Sequence, residues 1–347
     1  MLKKLFHNNH FLSLLGNLSV AGLSFLSFGL LFRIIPKEQM GYWIIFQLAA
    51  SLMEMFRAGI VQTALIKFLP GTKGVEARRI IGAAWYNSLM VTLIFILMSI
   101  PTYFMLRNSL NEGGLIIIFW GFVSIVQLPQ NIATWVLQAE QRFDRILYVR
   151  LLAQGSFVVF IAMIPFIIES PEALDVFYAY ILSGVLASFC VMVFGWAKLT
   201  AVFYTTRANV LEMFHFGKYS IGTSLSAYLL KCSDSFIIGA MLGPRAVALY
   251  TAPQKIIEVI EIPLRSFMAT AMPTMSAYFN QKKMGMVAAT MKQYAGMLTI
   301  CLIPAIVFCL IFAEQLIMII AGSDYLEAAN ILRVFIAFAF LFPIDRF

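Results

Sequence analysis

The sequence predicts an all-α, polytopic membrane protein of two parallel six-helix-type lobes, with ten transmembrane helices present. Three observations carry that expectation. First, 61% of the 347 residues are hydrophobic and 12% are charged, against about 45–50% and about 25% in soluble domains. Mean hydropathy is +0.87, and a soluble fold of this size would lack the polar side chains to cover its surface. Second, the apolar residues gather in stretches close to the roughly 20 that cross a bilayer as a helix. Third, the chain matches itself when shifted by 208 residues, which lays Pro36 on Pro244.

The expected spans run Phe11–Phe32, Met40–Ile66, Ile81–Phe104, Leu115–Ala139 and Tyr148–Ile168, then Leu174–Lys198, Lys218–Leu242, Val247–Thr274, Met291–Ala313 and Ala328–Phe347. The first follows Lys3 and Lys4, but it is too long for a signal-peptide core and lacks a small-x-small cleavage site, so it counts as a span. With the N-terminus inside, the inner segments hold 15 basic residues, including Lys67, Arg78, Arg142, Arg145, Arg150, Lys198 and Lys218. The outer segments hold 4: Arg33, Lys37, Arg107 and Arg245. That asymmetry predicts a cytoplasmic N-terminus. The aromatic pairs Tyr42/Trp43 and Trp85/Tyr86 read as interfacial belt residues.

The same shift lays Tyr42 on Tyr250, Arg57 on Arg265 and the turn at Gly114 on Gly322. Six spans separate the copies, so both halves cross the membrane in the same sense, as in transporters that handle substrate between two lobes. The expected domains are residues 1–205, an N-terminal six-helix lobe, and 206–347, the first four helices of a C-terminal lobe. Counterparts of the fifth and sixth spans, about 65 residues, would follow Phe347, so the chain reads as a C-terminally truncated part of a protein of about 410–430 residues or more.

Enzyme chemistry has no foothold in the sequence. Cys190, Cys232, Cys301 and Cys309 all lie in apolar runs and read as packing thiols. No CxxC, HExxH, GxxxxGK[ST] or GxSxG occurs, so neither an enzyme activity nor a metal or cofactor is expected.

The informative residues are ionic ones placed in apolar stretches, where a charge costs between about 2.5 and over 10 kcal/mol. Glu54 and Arg57 are i,i+3 on the second span, Lys231 and Asp234 on the seventh, and Lys255 and Glu258 on the eighth, where Glu261 and Arg265 are i,i+4. These spacings share a helix face. The pairs either stabilise the bundle or line a water-filled chamber between the lobes, and their number favours the chamber. Pro253, Pro263 and Pro273 are expected to interrupt the eighth span, as backbone lining a cavity tolerates. Arg333, on the tenth span, has no acid at i±3 or i±4 and needs an anion from another helix or from the substrate. Gln127, Gln130, Asn131 and Gln138 on the fourth span, with Pro129 among them, serve either neighbouring helices or a hydroxyl-rich ligand such as a sugar.

One stretch, FGKYSIGTSLSAYLLKCSDSFIIGAMLGPRAVALYTAPQK from Phe216 to Lys255, resembles the polysaccharide-export flippases of the multidrug/oligosaccharidyl-lipid/polysaccharide exporter superfamily. The matching positions are Ser233, Asp234, Ile237, Ile238, Gly239, Leu242, Gly243, Tyr250 and Lys255, with a corresponding turn at Pro36–Tyr42 and an inner loop at Gln138–Phe143. The resemblance implies 12 or 14 helices in two lobes that open alternately. It implies a membrane transporter in the bacterial cytoplasmic (inner) membrane that flips a polyprenyl-pyrophosphate-linked oligosaccharide from the inner to the outer leaflet, for O-antigen, capsule or exopolysaccharide biosynthesis.

By the same resemblance, Arg57, Lys231, Lys255, Arg265 and Arg333 are the candidates to meet the pyrophosphate, and Gln130 and Asn131 the sugars. Asp234, then Glu54, Glu258 and Glu261, would serve ion coupling by Na+ or H+. The implied partners are the lipid-linked oligosaccharide, membrane lipid, and polysaccharide polymerase and ligase proteins; no nucleic acid is expected. A cation-coupled multidrug or metabolite antiporter of the same superfamily is the alternative, but embedded bases outnumber embedded acids five to four, which leans toward an anionic substrate. A membrane glycosyltransferase would need a larger loop than the linker around Thr200–Phe216, or a DxD motif, which is missing.

Overall fold

The computed structural model describes residues 9–106 and 119–341, apart from the side chains of 9–15, 102, 105, 106, 262–270, 272, 273 and 301. The expected start of the fourth span at Leu115, the turn at Gly114 and the end of the tenth span at Phe347 lie outside the described residues. Every regular element among the described residues is helical. The helices are α1 (Asn9–Ile34), α2 (Lys37–Arg57), α3 (Thr63–Phe68), α4 (Gly74–Leu106), α5 (Trp120–Ala139), α6 (Phe143–Ile167), α7 (Ala173–Val193), α8 (Arg207–Leu242), α9 (Pro244–Asn280), α10 (Met284–Ile311), α11 (Ala313–Ala321) and α12 (Ala328–Ala339). A π turn, Ala58–Gln62, joins α2 to α3, and a 3-10 segment, Leu199–Tyr204, precedes α8. Seven described helical stretches are long and apolar enough to cross a membrane. The protein is a multi-pass membrane protein.

Two compact units appear, residues 1–247 and 248–347. In the first, α1 lies along α6, α7 packs on α5 and α6, and α4 packs on α5. The helix α8 packs against α2, the π turn and α4. Side chains invert the soluble pattern. Asn87, Ser88, Thr92, Ser99, Ser124, Ser183 and Ser188 are buried, while Leu93, Leu97, Phe166, Ile167 and Val193 are exposed. Hydrocarbon accepts the exposed apolar surface, and most buried hydroxyls bond locally to carbonyls three or four residues back, as Thr92 Oγ1 does to Ser88 O at 2.8 Å. In the second unit α12 packs on α10 and α11, and Tyr250 of α9 meets Phe335 of α12 edge-on at 5.1 Å.

Several expectations are corrected. Trp43 is not a belt residue: it is fully buried among the rings of Phe46, Phe157 and Tyr180. Trp85 is buried too, its indole N–H donating to Ala197 O at 2.9 Å. Pro253, Pro263 and Pro273 do not interrupt α9, which continues from Pro244 to Asn280; each removes only one helical N–H donor. The linker expected around Thr200–Phe216 is short and ordered. It holds the 3-10 segment, and α8 starts at Arg207 with Thr206 Oγ1 accepting the Asn209 N–H at 3.4 Å as its N-cap.

Close approach between α8 and the first helices depends on glycine. A Cβ on Gly217 would stand 2.4 Å from Ile60 Cα and 2.6 Å from Ile60 O, in the π turn. Backbone cannot yield as a flexible side chain does. Gly217→Ala should therefore destabilise the protein by about 1–3 kcal/mol, read as a lower unfolding midpoint in detergent. Gly222→Ala, where a Cβ meets nothing within 4 Å, should leave the midpoint in place or raise it.

Candidate functional site

The second span is where the chain departs from regular helix. The Ala58 N–H reaches both Glu54 O and Met55 O, and the Thr63 N–H returns to Ala58 O. The first two bonds are of i→i−4 and i→i−3 type, and the last, i→i−5, is the longer loop of a single π turn, a feature often found at functional sites. Nothing in the local sequence announces it; Gly59 is its one small residue facing a neighbour, with Ile221 Cα 3.2 Å from where a Cβ would sit.

One helical turn before it lies the ionic centre of this unit. The Arg57 side chain is 1% exposed and pairs with Glu54, which is 33% exposed. Arg57 Nε and Nη2 both donate to Glu54 Oε2, the first at 3.0 Å. Nη1 donates to Ser124 O of α5 at 2.9 Å and to Thr92 Oγ1 of α4 at 3.3 Å. Four of the five guanidinium N–H positions are thus engaged, and one side chain ties together α2, α4 and α5. Glu54 keeps its outer face open. The pair expected from i,i+3 spacing is present, but Arg57 is a buried anchor and Glu54 is the accessible member.

The α5 amides divide into two kinds. Gln138 Oε1 accepts from Gln62 Nε2 of the π turn at 2.9 Å, and Gln127 stands near the Tyr180 hydroxyl of α7. Both face other elements. Gln130 Oε1 is buried without a partner, and the half-buried Asn131 side chain makes no hydrogen bond among the described residues. A buried unsatisfied acceptor calls for an explanation such as a ligand or water.

The remaining candidates are more dispersed. On α8, Lys231 is exposed and Asp234 half-buried, with Asp234 Oδ1 accepting the Ser235 N–H at 2.7 Å. In the second unit, Lys255 Nζ sits 3.0 Å from Glu258 Oε2 and Glu261 is half-buried; the Arg265 side chain lies outside the described residues. Arg333 is exposed and finds its anion on another helix, with Nη2 2.9 Å from Glu314 Oε1 and Nη1 donating to Asn330 Oδ1 at 2.8 Å. Among the described residues, no group of His, Cys, Asp and Glu could hold a metal ion. Sequence reasoning missed Gln62, Thr92, Ser124 and Tyr180, whose roles come from contacts distant in the chain.

The ionic pair should respond asymmetrically to truncation. Glu54→Ala strands a guanidinium with no water beside it and should cost about 3–5 kcal/mol. Arg57→Met leaves a carboxylate that water can reach and should cost distinctly less. Unfolding midpoints of the two variants in detergent check this, and equal losses would contradict it.

With this geometry in hand, the comparisons with known proteins place the chain. Residues 6–279 match the model of the Polysaccharide biosynthesis protein family, and residues 220–345 match that of the MatE family. A curated relative, the probable low-salt glycan biosynthesis flippase Agl15 of Haloferax volcanii, is 20% identical over 328 residues, which cover 92% of this chain and 66% of that protein. The chain therefore spans just under two thirds of that relative's length. Among solved structures, the inward-facing conformation of a multidrug resistance MATE family transporter of the MOP superfamily matches with a TM-score of 0.76 at 14% identity, over 94% of this chain and 79% of that one. A MOP superfamily transporter from Pyrococcus furiosus, described as having a binding pocket of reverse polarity that suggests a different function, matches at 0.55 with 17% identity, over 96% and 81%. The chain belongs to the Polysaccharide biosynthesis protein family and has the fold of MOP-superfamily transporters.

Proposed function

We propose that the protein flips a polyprenyl-pyrophosphate-linked oligosaccharide from the inner to the outer leaflet of a bacterial cytoplasmic membrane, N-terminus inside, for O-antigen, capsule or exopolysaccharide assembly. The observation that carries this reading is a polar interior in a bundle with an apolar exterior. The Glu54–Arg57 pair and the unpartnered Gln130 acceptor lie within apolar helices. A headgroup with about two negative charges and many hydroxyls cannot cross hydrocarbon and needs such an interior, whereas the polyprenyl tail can stay in lipid.

In this proposal Glu54 is the coupling carboxylate. When it takes a proton or Na+, its hold on Arg57 loosens, and the guanidinium becomes available to the pyrophosphate. Gln130 and Asn131 meet sugar hydroxyls. Lys231, Lys255, Arg265 and Arg333 are the further cations for the headgroup, and Asp234, Glu258 and Glu261 the further coupling acids. Polymerase and ligase proteins of polysaccharide assembly are its proposed partners. The match to the MatE family over residues 220–345 favours a second reading, a cation-coupled antiporter of drugs or metabolites.

Reconstitution into vesicles decides between the two. The full-length wild type should translocate a fluorescent polyprenyl-pyrophosphate oligosaccharide and leave ethidium untouched. Arg57→Gln combined with Arg265→Gln should slow flipping by at least about tenfold, equivalent to about 1.4 kcal/mol, with insertion intact. Unchanged flipping would remove the basic residues from their role, and ethidium transport without flipping would establish the antiporter.

A further inference from the structure

The start of α1, the end of α5 and the start of α6 enclose a recess of about 220 Å³, in which Asn17, Gln138 and Arg150 stand over Phe143, Ile146 and Leu147. At about 30 Å³ per water, it has room for roughly seven waters or one phosphate group. Its polar groups are unusually one-sided. Arg150 Nη1 donates to Asn17 Oδ1 at 2.7 Å and Gln62 donates to Gln138 Oε1, so each amide oxygen already has one donor and keeps one lone pair. Among the described residues, the other guanidinium N–H groups and the two side-chain NH2 groups have no acceptor.

Among the described residues, no carboxylate lines the recess. The nearest acids in sequence are committed elsewhere, Glu140 to Lys198 and Asp144 to Arg142 at 3.5 Å. A set of spare donors around one uncompensated cation complements an oxyanion, and a planar guanidinium suits phosphate in particular. A snorkelling arginine buries its stem and leaves its head to water alone; the half-buried Arg150 has its head hydrogen-bonded to the exposed Asn17. The surroundings indicate where the anion comes from. Next in sequence to its lining residues, Tyr148 and Leu151 on α6 and Leu18 on α1 are exposed side chains of large apolar area, suited to a hydrocarbon chain.

We propose that this recess is a headgroup site for a membrane lipid, with the phosphate held by Arg150, Gln138 and Asn17 and the chain lying along α1 and α6. The site concerns a lipid at the membrane edge and does not rest on the flippase reading, since an ordinary phospholipid with an accessible phosphate would fill it.

Native mass spectrometry of the full chain, released from detergent micelles doped with equal phosphatidic acid and phosphatidylcholine of matched acyl chains, tests the proposal. The wild type should retain phosphatidic acid severalfold over phosphatidylcholine. Arg150→Gln should lower that preference about tenfold, Arg150→Lys should keep part of it, and Lys73→Gln, at an exposed lysine outside the recess, should leave it unchanged. Retention equal in wild type and Arg150→Gln overturns the site. Displacement of the lipid by millimolar sodium pyrophosphate would overturn the lipid assignment in favour of a soluble phosphate. Should Arg150→Gln fail to fold, a photo-crosslinking residue at position 148 in the wild-type background reads the same site: capture of phosphatidic acid over phosphatidylcholine supports it, and equal capture overturns it.

Discussion

A guanidinium without water in the middle of an apolar helix must be neutralised locally, and much of the first unit is arranged around that requirement at Arg57. Desolvating such a charge costs several kcal/mol, so the carboxylate of Glu54, the Ser124 carbonyl and the Thr92 hydroxyl have to stand within reach together. Three helices are fixed in register by that need. Because replacing a buried ion pair with hydrocarbon is often neutral or stabilising, stability alone does not explain its presence. An ion pair whose acid is open and whose base is closed is better suited to a switch, since binding at the acid changes what the base can do.

What the sequence displayed follows from interaction range. Among the described residues, seven of the ten expected spans fall on helices long and apolar enough to cross a membrane; these were legible because bilayer thickness imposes a length and hydrocarbon imposes a composition. Glu54–Arg57 and Lys255–Glu258 were legible because helical geometry alone brings i and i+3 together. The anion for Arg333 was not, since Glu314 lies on α11 and reaches it only through packing. Trp43 and Trp85 misled for a related reason. Near a span end, an indole can face the interface or fill the bundle, and the aromatic partners that choose the interior, Phe157 and Tyr180, come from α6 and α7. The π turn left no trace because it answers to the approach of α8, whose Gly217 and Ile221 press on Ile60 and Gly59.

The amides of α5 show how one composition can serve two ends. Gln138 bonds to the π turn and Gln127 faces Tyr180 of α7; Gln130, between them in sequence, has a buried acceptor with no partner among the described residues. Inside an apolar bundle such an acceptor costs free energy unless a ligand or a water meets it. In the proposed function that acceptor is met by a sugar hydroxyl.

The π turn also bears on how the ionic centre and the lipid recess relate. In an α-helix, residues five apart lie about 140° apart around the axis, so Gln62 would point well away from Arg57. Bonding from i to i+5 winds more residues into the turn and brings Gln62 back toward the Arg57 side, where both engage α5: Arg57 at Ser124, Gln62 at Gln138. Gln138 in turn lines the recess beside Arg150. Restoring regular helix there would rotate Gln62 off Gln138 and free the Gln138 carbonyl, adding acceptor capacity to a recess rich in spare donors. Loss of the π turn would therefore weaken the recess for phosphate while leaving the Glu54–Arg57 spacing, which precedes the turn, as it is.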